Sequence, residues 1–160
     1  MAELDEADPG QHLTFRLAGE TFAVPVRQVR EVLDLQRIAR LANAPPLLLG
    51  VVDVRGQGIP VVDLKRKLAL PGGGTDEHSR LLVLEVNRSG RPLVVAALAD
   101  AVHEVTHLAG DTIEPPPEFG QDWDSGFLRG LSRRDGAFVT VLDLERLFAA
   151  GDLDSPGLAA

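Results

Sequence analysis

The chain of 160 residues contains no cysteine, which excludes disulfides, thiolate catalysis and Cys-ligated zinc or iron–sulfur centres together. Its formal charge of −8 argues against a nucleic-acid backbone or an anionic membrane as partner. No apolar run reaches the length of a membrane span and the first residues are acidic, so the expected setting is cytoplasmic, without membrane insertion.

Residues 1–11, with Glu3, Asp5, Glu6 and Asp8, read as a disordered acidic tail. Leu13, Phe15 and Leu17 then alternate with polar residues, Ala18-Gly19-Glu20 makes a turn, and Phe22 and Val24 resume the alternation, which predicts a hairpin. Val26, Val29 and Val32-Leu33 mix helical and strand spacing and predict a short helical turn entering a third strand. Asn43-Ala44-Pro45-Pro46 is an extended connection, since proline excludes helix. Gly50 to Leu64, GVVDVRGQGIPVVDL, reads as strand, glycine turn and strand, with Asp63 capping a short basic helical turn. Pro71 to Glu77 is an exposed loop, and it lacks the spacing and lysine of a phosphate-binding loop.

The second half repeats this order. Leu81–Val86 and Leu93–Leu98 form a hairpin, Val102-His103-Glu104-Val105 echoes Val29-Arg30-Glu31-Val32, and Pro115-Pro116-Pro117 echoes Pro45-Pro46. Gly130 to Leu144, GLSRRDGAFVTVLDL, aligns with Gly50 to Leu64 at an offset of 80, and a terminal helix follows from Asp143 to Ala150. Self-similarity of this kind marks a duplicated unit. About ten short strands and two brief helices predict an all-β fold of two barrels, one per half, over residues 12–150, with a flexible tail at 151–160.

His103-Glu104-Val105-Thr106-His107 matches the HExxH pattern of zinc hydrolases. That chemistry needs both histidines on one face of a stable helix and a third ligand. The extended motif places the third ligand at Ile113, the β-branched Val102, Val105 and Thr106 disfavour helix, and the echo at Arg30-Glu31 has no histidine. The expectation is no enzyme, no metal and no cofactor. His12 and His78 have no serine nucleophile in a recognisable turn nearby, and Asp53, Asp63, Asp100 and Asp143 read as structural carboxylates. Arg55 stands out at a turn tip where the fold requires no charge, and Trp123, the single tryptophan, lies in the acidic loop Glu118–Ser125.

Taken together, Gly19-x-x-Phe22-Ala23-Val24-Pro25-Val26, Val29-x-Glu31-Val32, Ile38-x-x-Leu41, Gly50-Val51-Val52-Asp53-Val54-Arg55-Gly56, Pro60-Val61-Val62-Asp63-Leu64 and Asp100-x-Val102-x-Glu104-Val105 resemble the CheW family of chemosensory adaptors, over roughly His12 to Leu147. The resemblance implies two five-stranded SH3-like barrels and a non-enzymatic adaptor. Its implied partners are the cytoplasmic tip of a chemoreceptor, the regulatory domain of the histidine kinase CheA and, further, other adaptor copies. It also implies that the family's functional arginine falls on Arg55, with Gly56, and its neighbouring surface on Val29 and Glu31. Val102 and Val105 are the matching positions of the second half, and a groove between the barrels, flanked by Val29 and Val102, is expected to receive the receptor helix. An adaptor of a non-flagellar chemosensory pathway is the alternative.

Overall fold

The computed structural model describes residues 10–108, 112–117 and 126–149. Within them lie ten strands: β1 (Gln11–Leu17), β2 (Glu20–Pro25), β3 (Val29–Asp34), β4 (Leu48–Val54), β5 (Gln57–Val62), β6 (Arg80–Arg88), β7 (Arg91–Ala99), β8 (Ala101–His107), β9 (Leu128–Arg134) and β10 (Ala137–Leu142). A 3-10 turn, Val26–Gln28, precedes β3, and single-turn helices α1 (Leu64–Lys67) and α2 (Leu144–Leu147) follow β5 and β10. The expected helix to Ala150 is one turn, and Gln11, the last residue of the expected acidic tail, already pairs with His107 in β1. Trp123 and its loop lie outside the described residues, as do 1–9 and 150–160.

Four hairpins turn through Ala18-Gly19, Arg55-Gly56, Ser89-Gly90 and Asp135-Gly136. All eight turn residues have positive φ, from +51° to +84°, the arrangement whose twist matches that of the flanking strands. Glycine takes the second position each time. The first is occupied by whatever residue the surface needs, which is how an arginine comes to stand at 55.

The two barrels are not the two halves of the chain. One sheet has the order β8-β1-β2-β10-β9 and the other β3-β6-β7-β5-β4. Each repeat contributes its first hairpin to the sheet that holds the other repeat's last three strands. The exchange is sealed by two parallel pairings, β2 with β10 and β5 with β7. Such pairings are non-local and leave no mark on the hydrophobic pattern of either strand, so the expectation of one barrel per half is corrected here.

Each sheet rolls up. The short link from Asp34 to Ala39 carries the chain from β3, at one edge, to the outside of β4 at the other, where Ala39 and Val51 exchange two hydrogen bonds of 2.8 Å. Glu114 and Leu131 do the same beside β9. Both closures need a glycine on the receiving strand. A Cβ on Gly50 would stand 2.2 Å from the Ala39 carbonyl oxygen, and one on Gly130 the same distance from that of Glu114.

The main core lies between the sheets. It joins Leu13, Phe15, Phe22 and Val24 of one to Leu82, Leu84, Val95 and Ala97 of the other, with Leu64, Leu144 and Leu147 of the helices. Each barrel also has its own apolar centre, a larger one around Val52, Ile59, Leu81 and Leu98 and a smaller one around Ala23, Val139 and Val141. Burying this aliphatic surface is the dominant stabilising term.

Candidate partner-binding surfaces

Arg55 sits at the tip of the β4–β5 turn with its side chain 73% exposed. Its Nη1 donates to Glu31 Oε1 at 3.1 Å and its Nη2 to Glu31 Oε2, a bidentate pair of fixed geometry. Glu31 is on β3 and Arg55 follows β4, the two opposite edges of the sheet, so only the rolled shape brings them together. The hydrogen bond from Arg55 holds the Glu31 carboxyl below its ordinary value, and the bond to Glu31 raises Arg55 in turn. The sequence-based expectation that Glu31 and Arg55 lie close is met.

Gly56 supplies the turn: its φ is +84° and its N–H donates to Asp53 Oδ1 at 2.8 Å. Val29 is a correction. It is only 9% exposed and belongs to the main core, and Val102 packs partly buried against that same core. These two valines hold the sheets together and do not flank an open groove. Burial alternates along β3, so Val29 and Val32, three residues apart, lie on opposite faces and the valine turned outward is Val32, 42% exposed. Val105, the counterpart of Val32, is 49% exposed as expected of a surface position.

The second barrel repeats the arrangement in altered form. Glu104 on β8 faces Arg134 at the end of β9, again across the two edges of one sheet, at 3.8 Å. At the offset of 80, Arg55 corresponds to Asp135, so the ionic partner has moved back by one residue. Beside it Phe138 is 51% exposed, with the Arg133 guanidinium 4.9 Å from its ring centre. Sequence reasoning missed Val32, Arg134 and Phe138. For Phe138 a signal existed, an aromatic at the outward position of AFVTVL. For Arg134 the signal was a repeat read without its one-residue slip, and for Val32 it was the alternation of VREVLD, which sets Val29 and Val32 on opposite faces.

His103 and His107 lie on β8, a strand, so the helix that a zinc motif needs is not formed. The four aspartates have structural partners. Asp63 and Asp143 cap α1 and α2 by accepting from Arg66 N and Arg146 N, and Asp53 holds the Arg55-Gly56 turn. Asp100 accepts from Lys65 Nζ at 2.7 Å and from the Ala18 amide at 2.8 Å. Burial works against the Asp100 carboxylate, yet these hydrogen bonds outweigh it and its pKa is lowered.

These carboxylates thus serve caps, turns and ion pairs on two rolled all-β sheets, whose exposed edges are the surfaces offered to partners. Known proteins give that fold a family. The CheW-like domain family matches residues 11–152, so the chain belongs to it, and members of this family are non-enzymatic scaffolding or adaptor proteins. The chemotaxis protein CheW of Klebsiella aerogenes is 29% identical over 89% of this chain and 84% of its own. Protein FrzA of Myxococcus xanthus is 31% identical over 89% and 88% respectively. The crystal structure of the scaffolding protein TtCheW from Thermoanaerobacter tengcongensis superposes with a TM-score of 0.78 at 29% identity, covering 91% of this chain and 92% of that one.

Proposed function

We propose that this chain couples the cytoplasmic tips of chemoreceptors to the regulatory domain of a CheA histidine kinase, in the cytoplasm and at membrane receptor arrays. The observation that carries the reading is the doubled edge: Glu31–Arg55 with Val32 on one barrel, Glu104–Arg134 with Val105 and Phe138 on the other. Two exposed surfaces of one ancestry on a single rigid core suit an adaptor that holds two partners at once. A receptor tip is a helical coiled coil, recognised through apolar side chains flanked by charge, and Arg55 offers a cation to an acidic helix on a chain of net charge −8. The barrel ends are left to a kinase domain of similar fold, or to further adaptor copies. An adaptor of a non-flagellar pathway would use the same geometry, and the receptor captured distinguishes the two.

The test is a ternary titration of receptor-tip and kinase regulatory fragments, added in both orders. The expected result is simultaneous occupancy. Complete displacement of either partner by saturation with the other overturns the bridging role.

A further inference from the structure

A cavity of about 450 Å³ opens at the end of the barrel formed by β8, β1, β2, β10 and β9. Its apolar wall includes Pro25, Leu108 and Ile113, and its polar groups are His12, Arg27 and Arg129. His12 is only 3% exposed. Its Nδ1–H donates to the Gly10 carbonyl at 2.7 Å, which sets the tautomer and leaves Nε2 as the free ring nitrogen. Neither arginine has an ion-pair partner among the described residues, and no described carboxylate lines the cavity, although the chain carries more acids than bases.

The other barrel shows that the fold does not require this arrangement. His12 pairs with Pro25 across β1–β2 as Leu81 pairs with Leu98 across β6–β7. Arg129 precedes Gly130 as Leu49 precedes Gly50, and Ile113 and Ile38 pack against those two glycines. In that barrel the same positions are filled by Leu81, Leu98, Leu49 and Ile38, which join its apolar centre. Replacing such a plug by a histidine and an exposed arginine gives up apolar burial and turns this end of the barrel into an open, basic recess.

We propose that this cavity binds a small organic anion, its carboxylate or phosphate head held between Arg27 and Arg129 and its apolar body against Leu108 and Ile113. Guanidinium forks suit oxyanions, and the volume lies in the range of small-ligand sites. Burial holds the His12 imidazole below its ordinary value, and Arg129, Arg27 and His107 add to that effect, while the Gly10 carbonyl works against it. These are the charged and titratable groups facing the ring from β9, the 3-10 turn and β8. A bound anion reverses the push from the two arginines and favours the protonated ring.

The experiment is an NMR titration of the ¹⁵N-labelled chain with phenyl phosphate and with benzoate, using phenol as the neutral control. Saturable shifts should centre on His12, Arg27, Leu108 and Arg129, with the His12 ring titrating at higher pH when the anion is present. Whichever head binds more tightly names the ligand class. The double variant Arg27→Gln, Arg129→Gln changes exposed side chains only and should weaken binding by at least about tenfold, since charged hydrogen bonds are lost. Arg129→Leu, which copies Leu49, should abolish it while the melting temperature holds. Shifts that never saturate, an equal response to phenol, or unchanged affinity in the double variant would overturn the proposal.

Discussion

Each barrel combines the first hairpin of one half of the chain with the last three strands of the other, so comparing the two barrels separates what the fold demands from what each surface does. Shared features are those no barrel can lose. Both have the aspartate that caps the single-turn helix, with Asp63 and Asp143 at φ −99° in each case and ψ of 95° and 96°. Both have the glycine that admits the closing strand and the bulge on the edge strand. What differs is the edge and the open end. One barrel presents a tight Glu31–Arg55 pair and an end plugged with leucine, the other a looser Glu104–Arg134 pair, an exposed Phe138 and a basic cavity. Duplication left two copies of each device, and only those needed for closure stayed alike.

The comparison can be broken at its most symmetric point. Gly50→Ala and Gly130→Ala each drive a methyl group into a backbone carbonyl, and overpacking of this kind costs roughly 3 kcal/mol. Gly50 should be the worse of the two, because its φ of +152° also disfavours an L side chain. Urea unfolding of both variants checks this. A loss below about 1 kcal/mol in either would show that barrel closure is not what these glycines protect.

A second test exploits an asymmetry. Lys65, its side chain 7% exposed, ties α1 to Asp100 and through it to the Ala18 turn of the other sheet. The counterpart of Lys65 is Glu145, and that of Asp100, two residues before Val102 as Arg27 is two before Val29, is Arg27; these form no such pair among the described residues. Lys65→Met leaves Asp100 half-buried without its cation and should cost roughly 2–4 kcal/mol, while Glu145→Met should change little. Acid gives the same pair a pH signature. The lowered Asp100 pKa contributes stability that is present above its ordinary value of 3.8 and is lost as pH falls through the depressed folded value. Asp100→Asn should flatten that acid limb of a stability-against-pH profile, and an unchanged limb would assign it elsewhere.

The smallest structural effect carries the sharpest functional contrast. Arg55→Ala and Arg134→Ala alter exposed ion pairs, and such pairs add little to stability, so melting curves should stay in place. Each should weaken binding of one partner by about tenfold and spare the other. If both variants lose the same partner, the two edges form one surface and the comparison between them collapses.

The amino-acid pattern alone determined the ten strands, the four glycine turns, both helix caps and the duplication, because each depends on residues close in sequence. Alternation names the buried face of a strand, a positive φ calls for glycine, and an aspartate before a helical turn reaches its own amides. The proximity of Glu31 and Arg55 was also legible, though through family resemblance and not through spacing. Tertiary structure alone decided which strand lies beside which. The exchange of hairpins between repeats, the burial of Val29, the exposure of Val32 and the cavity around His12 all follow from pairings between distant strands. A strand's sequence specifies the face it buries but not the neighbour it pairs with. Alternation along β3 puts Val29 and Val32 on opposite faces, and only the neighbouring strands decide which of the two faces is covered.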